Sequence, residues 1–259
     1  MKVMTYNIKD GGEDFLAELG EILVEAGPDI VAIEEANDEF VFESLAALLG
    51  FEHVLGEGNR GYHVGIISRY PILKSQNHGG TSEFFHTMVE AQIAAPGYPL
   101  TVFAAHLYPG YGVAHEQHRV EEVRAILGYM TSQRENPCLL VGDFNTVSPQ
   151  DNLTSEEWPW PYRQQMRAQE EGIGRKAIQA VLDNSLTDCF RAIFPDSGEY
   201  PGYTLPAPRP DVRLDYIFAN NLMLERLDSC QVWLANPAPK ASDHLPLLAE
   251  FNIFQENHF

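Results

Sequence analysis

Six short segments of this 259-residue chain set oxygen and nitrogen donors at the edges of apolar runs. They are Thr5-Tyr6-Asn7-Ile8, Ile33-Glu34-Glu35, Ala105-His106-Leu107, Gly142-Asp143-Phe144-Asn145, Arg213-Leu214-Asp215-Tyr216 and Ser242-Asp243-His244. Each apolar run is strand-like, so each polar side chain falls at the rim of a sheet. Gathered from across the chain, these carboxylates, carboxamides and imidazoles form a donor set able to hold a hard divalent cation and hydrolyse a phosphate ester. Asp143 and Asn145 are two apart, so in an extended segment both point the same way. One charged and one neutral oxygen donor there suit a cation, or a polarised water and a phosphate oxygen. Any one segment alone reads as a polar turn or a hydrogen-bonded rim residue. Their joint occurrence is the signal.

In this order the six segments resemble the endonuclease/exonuclease/phosphatase superfamily. It includes exonuclease III-like repair nucleases, pancreatic-type deoxyribonuclease, neutral sphingomyelinases and inositol polyphosphate 5-phosphatases. The resemblance runs from about Asn7 to His244 and implies a single domain over residues 1–259. The implied fold is α/β (α+β), a four-layered α/β sandwich of two face-to-face mixed β-sheets flanked by helices. The implied enzyme is a hydrolase of phosphate ester bonds that depends on Mg2+ or Mn2+. In the family pattern Glu35 is the principal metal ligand, with Asn7 supporting the metal or phosphate and Asp243 closing that site. Asp143 positions or deprotonates the attacking water, and Asn145 helps to hold the phosphate or metal. His244 contacts the transition state or activates water, Asp215 orients its ring, and His106 contacts the scissile phosphate. Two departures matter. Family members usually carry Gln then Glu where this chain has Glu34-Glu35, and Glu34 is expected to alternate away while adding negative charge near the cation. Some nucleases have Asp two residues beyond the Asn, where this chain has Lys9 and then Asp10, which leaves a second metal open.

Charge bears on the substrate. Seventeen Lys and Arg stand against 37 Asp and Glu, a formal net charge of −20. Proteins that grip duplex DNA offer cations to many phosphates, and this chain has few. The expected substrate is therefore a small or lipid-like phosphate ester. A metal-dependent endo- or exonuclease is the alternative, because net charge describes the distant field rather than the groove. A non-catalytic binding module of the same fold is a third reading, although every polar position is filled. The cysteines Cys138, Cys189 and Cys230 have no metal-binding spacing and fit a reducing compartment, so a cytoplasmic location is expected. No apolar run approaches the length of a membrane span, so no integral membrane association is expected.

Positioning these donors requires many elements. Periodicity predicts strands at Lys2–Ile8, Ile30–Ile33, Phe51–Leu55, Val64–Ser68, Phe85–Ile93, Leu100–His106, Cys138–Val141, Leu214–Ala219, Gln231–Leu234 and Leu247–Phe254. Helices are predicted at Glu13–Ala26, about Asp38–Leu49, Glu116–Thr131 and about Ile173–Leu182. Residues Ser148–Tyr162 and Pro206–Pro210 read as loops. The segment Trp158–Tyr162 could stack on a base, enter a lipid surface, cover a cleft or simply pin its loop. Arg69 reads as structural. His115 and His118 have the helical spacing to share a metal, with a solvated helix face as the simpler reading.

Overall fold

A computed structural model describes residues 1–110, 112–152, 175–207 and 210–253. The predicted Trp158–Tyr162 segment and the first residues of the Ile173–Leu182 helix lie outside the described residues. Strands are β1 Lys2–Asn7, β2 Ile30–Glu34, β3 Glu52–Gly56, β4 Val64–Ser68, β5 Ile72–Asn77 and β6 Thr87–Ala95. They continue as β7 Tyr98–His106, β8 Cys138–Asp143, β9 Thr187–Asp188, β10 Asp215–Ala219, β11 Leu227–Val232 and β12 Leu247–Phe251. One six-stranded sheet has the order β11-β12-β1-β2-β4-β3, the other β5-β6-β7-β8-β10-β9. Both are mixed: β1–β2 and β7–β8 pair parallel, and the other neighbours antiparallel. The expected four-layered sandwich is the observed one.

Alternation along the strands builds these layers. Val3, Ile30, Ala32, Val64 and Ile66 of the first sheet pack against Val89, Val102, Ala104, Val141 and Ile217 of the second. The opposite faces of the same strands meet helices. Met4, Tyr6, Val31 and Ile33 pack on α1 (Leu16–Ala26) and α2 (Glu39–Leu49) through Leu19, Leu23, Phe42 and Leu45. Phe103, Leu140, Tyr216 and Phe218 pack on α3 (Val113–Met130) and α4 (Lys176–Leu182) through Val123, Ile126, Ile178 and Val181.

Differences from the sequence reading have local causes. The first helix begins with a 3-10 turn, Glu13–Phe15, before α1. Asp38 caps α2 by accepting from Val41 N at 2.8 Å. Helix α3 starts a turn earlier than predicted, at Val113, where an exposed Val113-Ala114 pair and the buried Glu116 run against the apolar period. Strand β5, Ile-Leu-Lys-Ser-Gln-Asn, is unpredicted because it is an edge strand exposed along most of its length. Strand β11 ends at Val232 and begins at Leu227, so the predicted Gln231–Leu234 run is shifted. Arg69 is structural as read, pairing with Asp29 at 3.1 Å.

Two buried charged groups fix the strand ends that carry the polar residues. Asp151 binds Arg213 at 2.8 and 3.1 Å and Arg191 Nε at 2.8 Å, while Arg213 also reaches Asp188 at 2.6 Å. This network anchors the entry to β10, two residues before Asp215. Glu122 of α3 accepts from Phe85 N and Tyr108 N, each at 2.8 Å, and so clamps the entry to β6 beside the exit from β7. Burial pushes the Glu122 carboxyl up to about 7 against those two N–H donors and Arg119.

Two outcomes follow. Asp151→Ala leaves two buried guanidiniums without their shared carboxylate and is expected to lower stability by about 3–5 kcal/mol in denaturant unfolding. Because folding raises the Glu122 pKa from 4.5 to about 7, the stability it contributes is full below pH 4.5 and lost as pH rises to about 7. Relative to Glu122→Gln, wild type should lose about 1.4 kcal/mol per pH unit across that window, read from unfolding curves at stepped pH. Parallel curves would remove the buried ionisation.

Candidate active site

The site is the open end of the layer between the sheets. Asn7, Glu34, His106, Asp143 and Asp215 each fall two residues along from an inter-sheet residue, so the period that buries Thr5, Ala32, Ala104, Val141 and Ile217 aims them inward. Register sets them side by side: Asn7 is opposite Glu34, and Asp143 is opposite both His106 and Asp215. Gly142, just before Asp143, has φ 137°, and a Cβ there would lie 1.9 Å from Ala105 O. Glycine is required for β7 and β8 to approach closely at this point.

Asp143 is the hub. Its Oδ2 accepts from Asn7 Nδ2 at 3.1 Å and lies 3.5 Å from His106 Nε2 and 3.8 Å from His244 Nε2. Its Oδ1 accepts from Asn145 N at 2.8 Å. The other nitrogen of His244, Nδ1, is 2.9 Å from Asp215 Oδ2. Asn145 itself adopts φ 51° and donates Nδ2 to Leu107 O at 3.1 Å, joining the two strand ends. Ser242 Oγ donates to Asn7 O at 2.8 Å and accepts from His244 N at 3.2 Å, fixing the His244 segment to β1.

Glu35 leaves the strand alternation with φ 56°. Its Oε1 accepts from Asn7 Nδ2 at 3.1 Å and its Oε2 from Asp10 N at 2.7 Å. Asn7 Oδ1 accepts from Lys9 N at 3.0 Å, so the carboxamide turns its NH2 toward Glu35 and Asp143 and its oxygen away from them. Asp243 is half exposed and pairs with Lys9 at 3.8 Å, on the rim rather than at the hub. Glu34 differs from its expectation as a second charge near a cation. It is fully buried, accepts from Thr5 Oγ1 at 2.9 Å, and is held well above the carboxylate range by burial and then by repulsion from Asp215. A neutral acid lies beneath the site instead.

The electrostatics separate the imidazoles. Burial alone would lower the His244 pKa, but Asp215, Asp143 and Asp243 together outweigh it and push it up to about 10. His106 is held well below the ordinary value by burial and by repulsion from His86 and His244. Burial raises Asp143 to about 7, with the His244 charge opposing. Ligand atoms of Asp143, Asp215 and His244 lie within 4.8 Å of one another, a cluster able to hold a metal ion. Asp215 Oδ1 is buried without a partner, and the crowded carboxylates nearby fit a hard cation better than they fit one another.

Sequence reasoning missed His86. It is buried with neither ring nitrogen partnered, packs its ring at a tilt against His106 at 4.1 Å, and is pushed down to about 4 by burial and Arg60. Its register is the available signal, since the next residue, Thr87, is opposite His106. His115 and His118 both stack on Tyr108, at 5.4 and 4.6 Å, rather than sharing a metal site.

Comparison with known proteins bears on the fold and the family. A putative neutral sphingomyelinase of Drosophila melanogaster is 23% identical over 261 residues, covering 88% of this chain and 53% of that protein. The chain thus spans about half the length of this curated relative. An AP endonuclease from Archaeoglobus fulgidus superposes with a TM-score of 0.79 at 21% identity, covering 98% of this chain and 100% of that one. A 3′ phosphatase from Neisseria, solved bound to a product DNA hairpin, gives 0.76 at 22% identity, covering 97% and 99%. At such identity these structures show the shared fold. The sequence pattern of the Endonuclease/Exonuclease/phosphatase family, whose members cleave phosphate ester bonds and generally depend on divalent metals, matches residues 4–244, and the chain belongs to that family.

Proposed function

We propose that this protein is a Mg2+- or Mn2+-dependent phosphoesterase that hydrolyses a small phosphodiester or phosphomonoester by in-line attack of water. The observation that carries the reading is the compact cluster of Asp215, His244 and Asp143, with His106 Nε2 approaching the same Asp143 oxygen as His244 Nε2. Glu35 would hold the metal, with the carboxylates of Asp143 and Asp215 near it. A bound divalent cation would neutralise charge developing on the phosphoryl oxygens. Asn7 serves as a positioning residue, because its NH2 steers Glu35 and Asp143 while its oxygen is engaged by Lys9 N. Asp243, paired with Lys9, is assigned to the rim of the metal and phosphate site.

Asp143 orients the water and takes its proton. A carboxyl raised by burial is a stronger base than an exposed one, and a value near the working pH favours proton transfer. His244, kept charged by Asp215, donates Nε2–H to a phosphoryl oxygen and stabilises the charge that builds as the leaving bond breaks. His106 is neutral and contributes a hydrogen bond rather than a charge. Asn145 completes the cradle beside Asp143.

The net charge of −20 supports a small ester over duplex DNA. Nuclease action is the second reading, favoured by the DNA-acting neighbours of the same fold. Three free, buried cysteines support a cytoplasmic location, and among the described residues no helix is long and apolar enough to cross a membrane.

Cleavage of a bis-aryl phosphodiester beside a labelled DNA panel, with Mg2+ or Mn2+, tests the reading. His244→Ala should lower kcat on the diester by about 10²–10³-fold; an unchanged rate sinks its role. Strong DNA cleavage that is lost in the same variant would make this a nuclease. Glu35→Gln should raise the metal concentration for half-maximal activity by about tenfold or more. It should also abolish the metal-induced rise in Tm, and an intact rise would move the metal to other ligands.

A further inference from the structure

Beyond His86, whose ring touches His106 on one side and Phe85 on the other, lies a cavity of about 820 Å3 lined by Phe85 and Tyr108 that the hydrolytic reading does not use. A line of planar rings leads into it. The rings of His106 and His86 meet at 4.1 Å, those of His86 and Phe85 at 4.9 Å, and those of Phe85 and Tyr108 at 4.2 Å, with interplanar angles of 54°, 58° and 50°. His118 lies parallel to Tyr108, 4.6 Å away with an interplanar angle of 11°. The guanidinium of Arg60 sits 4.5 Å over the Phe85 ring. The entrance is built rather than accidental, since the buried Glu122 carboxylate holds Phe85 N and Tyr108 N together.

The lining selects among ligand classes. Among the described residues it contains no Leu, Ile, Val or Met, so it offers an acyl chain little to pack against. Planar rings and a guanidinium favour a flat, unsaturated group. Arg60 and Arg124 make no ion pair among the described residues, which leaves two cations on the cavity wall for one anionic group. Glu83 and Glu121 share that wall and oppose a run of phosphates. The volume is in the range of pockets that hold one small organic ligand.

We propose that this cavity is the leaving-group subsite and takes a single nucleoside, its base against Phe85 and His118 and its anionic neighbour beside Arg60. The inference rests on the hydrolytic reading above and names its substrate class: a small nucleotide phosphodiester, neither an acyl lipid nor duplex DNA. In the reaction an O–P bond from water replaces the P–O bond to the nucleoside. One proton of the water passes to Asp143 and is later released to solvent, the leaving oxygen takes one proton from solvent so that the nucleoside departs as its alcohol, and the other product is a phosphate monoester.

Calorimetric titration with adenosine monophosphate and with phosphocholine, without metal, tests the cavity apart from catalysis. Arg60 and His118 are exposed, so Arg60→Ala and His118→Ala should fold as wild type does. Adenosine monophosphate is expected to bind wild type and to bind each variant at least about tenfold more weakly, the loss of one stacking or cation–π contact, with phosphocholine silent. Equal binding to wild type and both variants, no nucleotide binding, or tighter phosphocholine binding would overturn the subsite. Turnover of the bis-aryl diester by wild type and His244→Ala, run in parallel, separates the two failures. Turnover lost in His244→Ala with no nucleotide binding rejects the subsite alone. Nucleotide binding with no diester turnover rejects the hydrolytic reading, and the leaving-group role with it.

Discussion

The site depends on keeping a carboxylate charged between two apolar sheets. Asp143 is 1% exposed, at the end of a strand whose preceding residues are core. An unpaired charge there costs several kcal/mol unless other groups compensate. Of its two imidazole neighbours, burial holds His106 neutral, so His244 is the positive partner. Asp215 secures that partner from the other side of the ring, at 2.9 Å. Arg213, close by in sequence, turns instead to Asp151 and Asp188 and takes no part in the balance. The outcome is a dense group of acids with one organic cation among them, and Glu34 resolves the excess by holding its proton.

That balance explains which parts of the site were legible in sequence. Period-two alternation carries Asn7, His106, Asp143 and Asp215 to one layer, and any strand ending in a polar residue in phase with its core residues announces this. Glu35 is different. Its position depends on a left-handed backbone that spacing does not encode, and counting the alternation from Glu35 rather than from Ala32 therefore turns Glu34 to the wrong side. The orientation of the Asn7 carboxamide is set by Lys9 N, a tertiary detail of one turn. Asp151, Arg191 and Arg213 meet across tens of residues with no shared motif, and Glu122 is one acid among several on α3 until its two N–H partners are known. Long-range polar contacts of this kind leave no period.

The surplus of negative charge has two different meanings at two distances. Far from the protein it repels polyanions, and that field is screened within about 10 Å at ordinary ionic strength. Inside the site the same sign concentrates, through Glu35, Asp143 and Asp215, where a cation would be attracted most strongly. The ring-lined cavity carries Arg60 and Arg124 and is linked to the acidic hub through the rings of His86 and His106. A small ester meets little of this repulsion, whereas a long polyanion must cross the acidic surface.

Backbone strain lies at the same place as the charge. Lys9, Asp10, Glu35 and Asn145 all have positive φ, between 46° and 58°, and all border the hub. Non-glycine residues in this region cost on the order of 1 kcal/mol or more each, so the surroundings must over-determine them. They do: Glu35 O accepts from both Gly11 N at 2.9 Å and Asn37 N at 2.7 Å, while its side chain accepts from Asp10 N. The loop after β1 is thereby folded around one glutamate whose carboxylate would otherwise swing into solvent. Charge repulsion and strain both oppose this arrangement in the protein alone, and a cation held by Glu35 would relieve the first while the hydrogen bonds contain the second. A site shaped in this way would be pre-organised for a cation, because the free energy needed to gather its carboxylates has already been supplied by the folding of the two sheets.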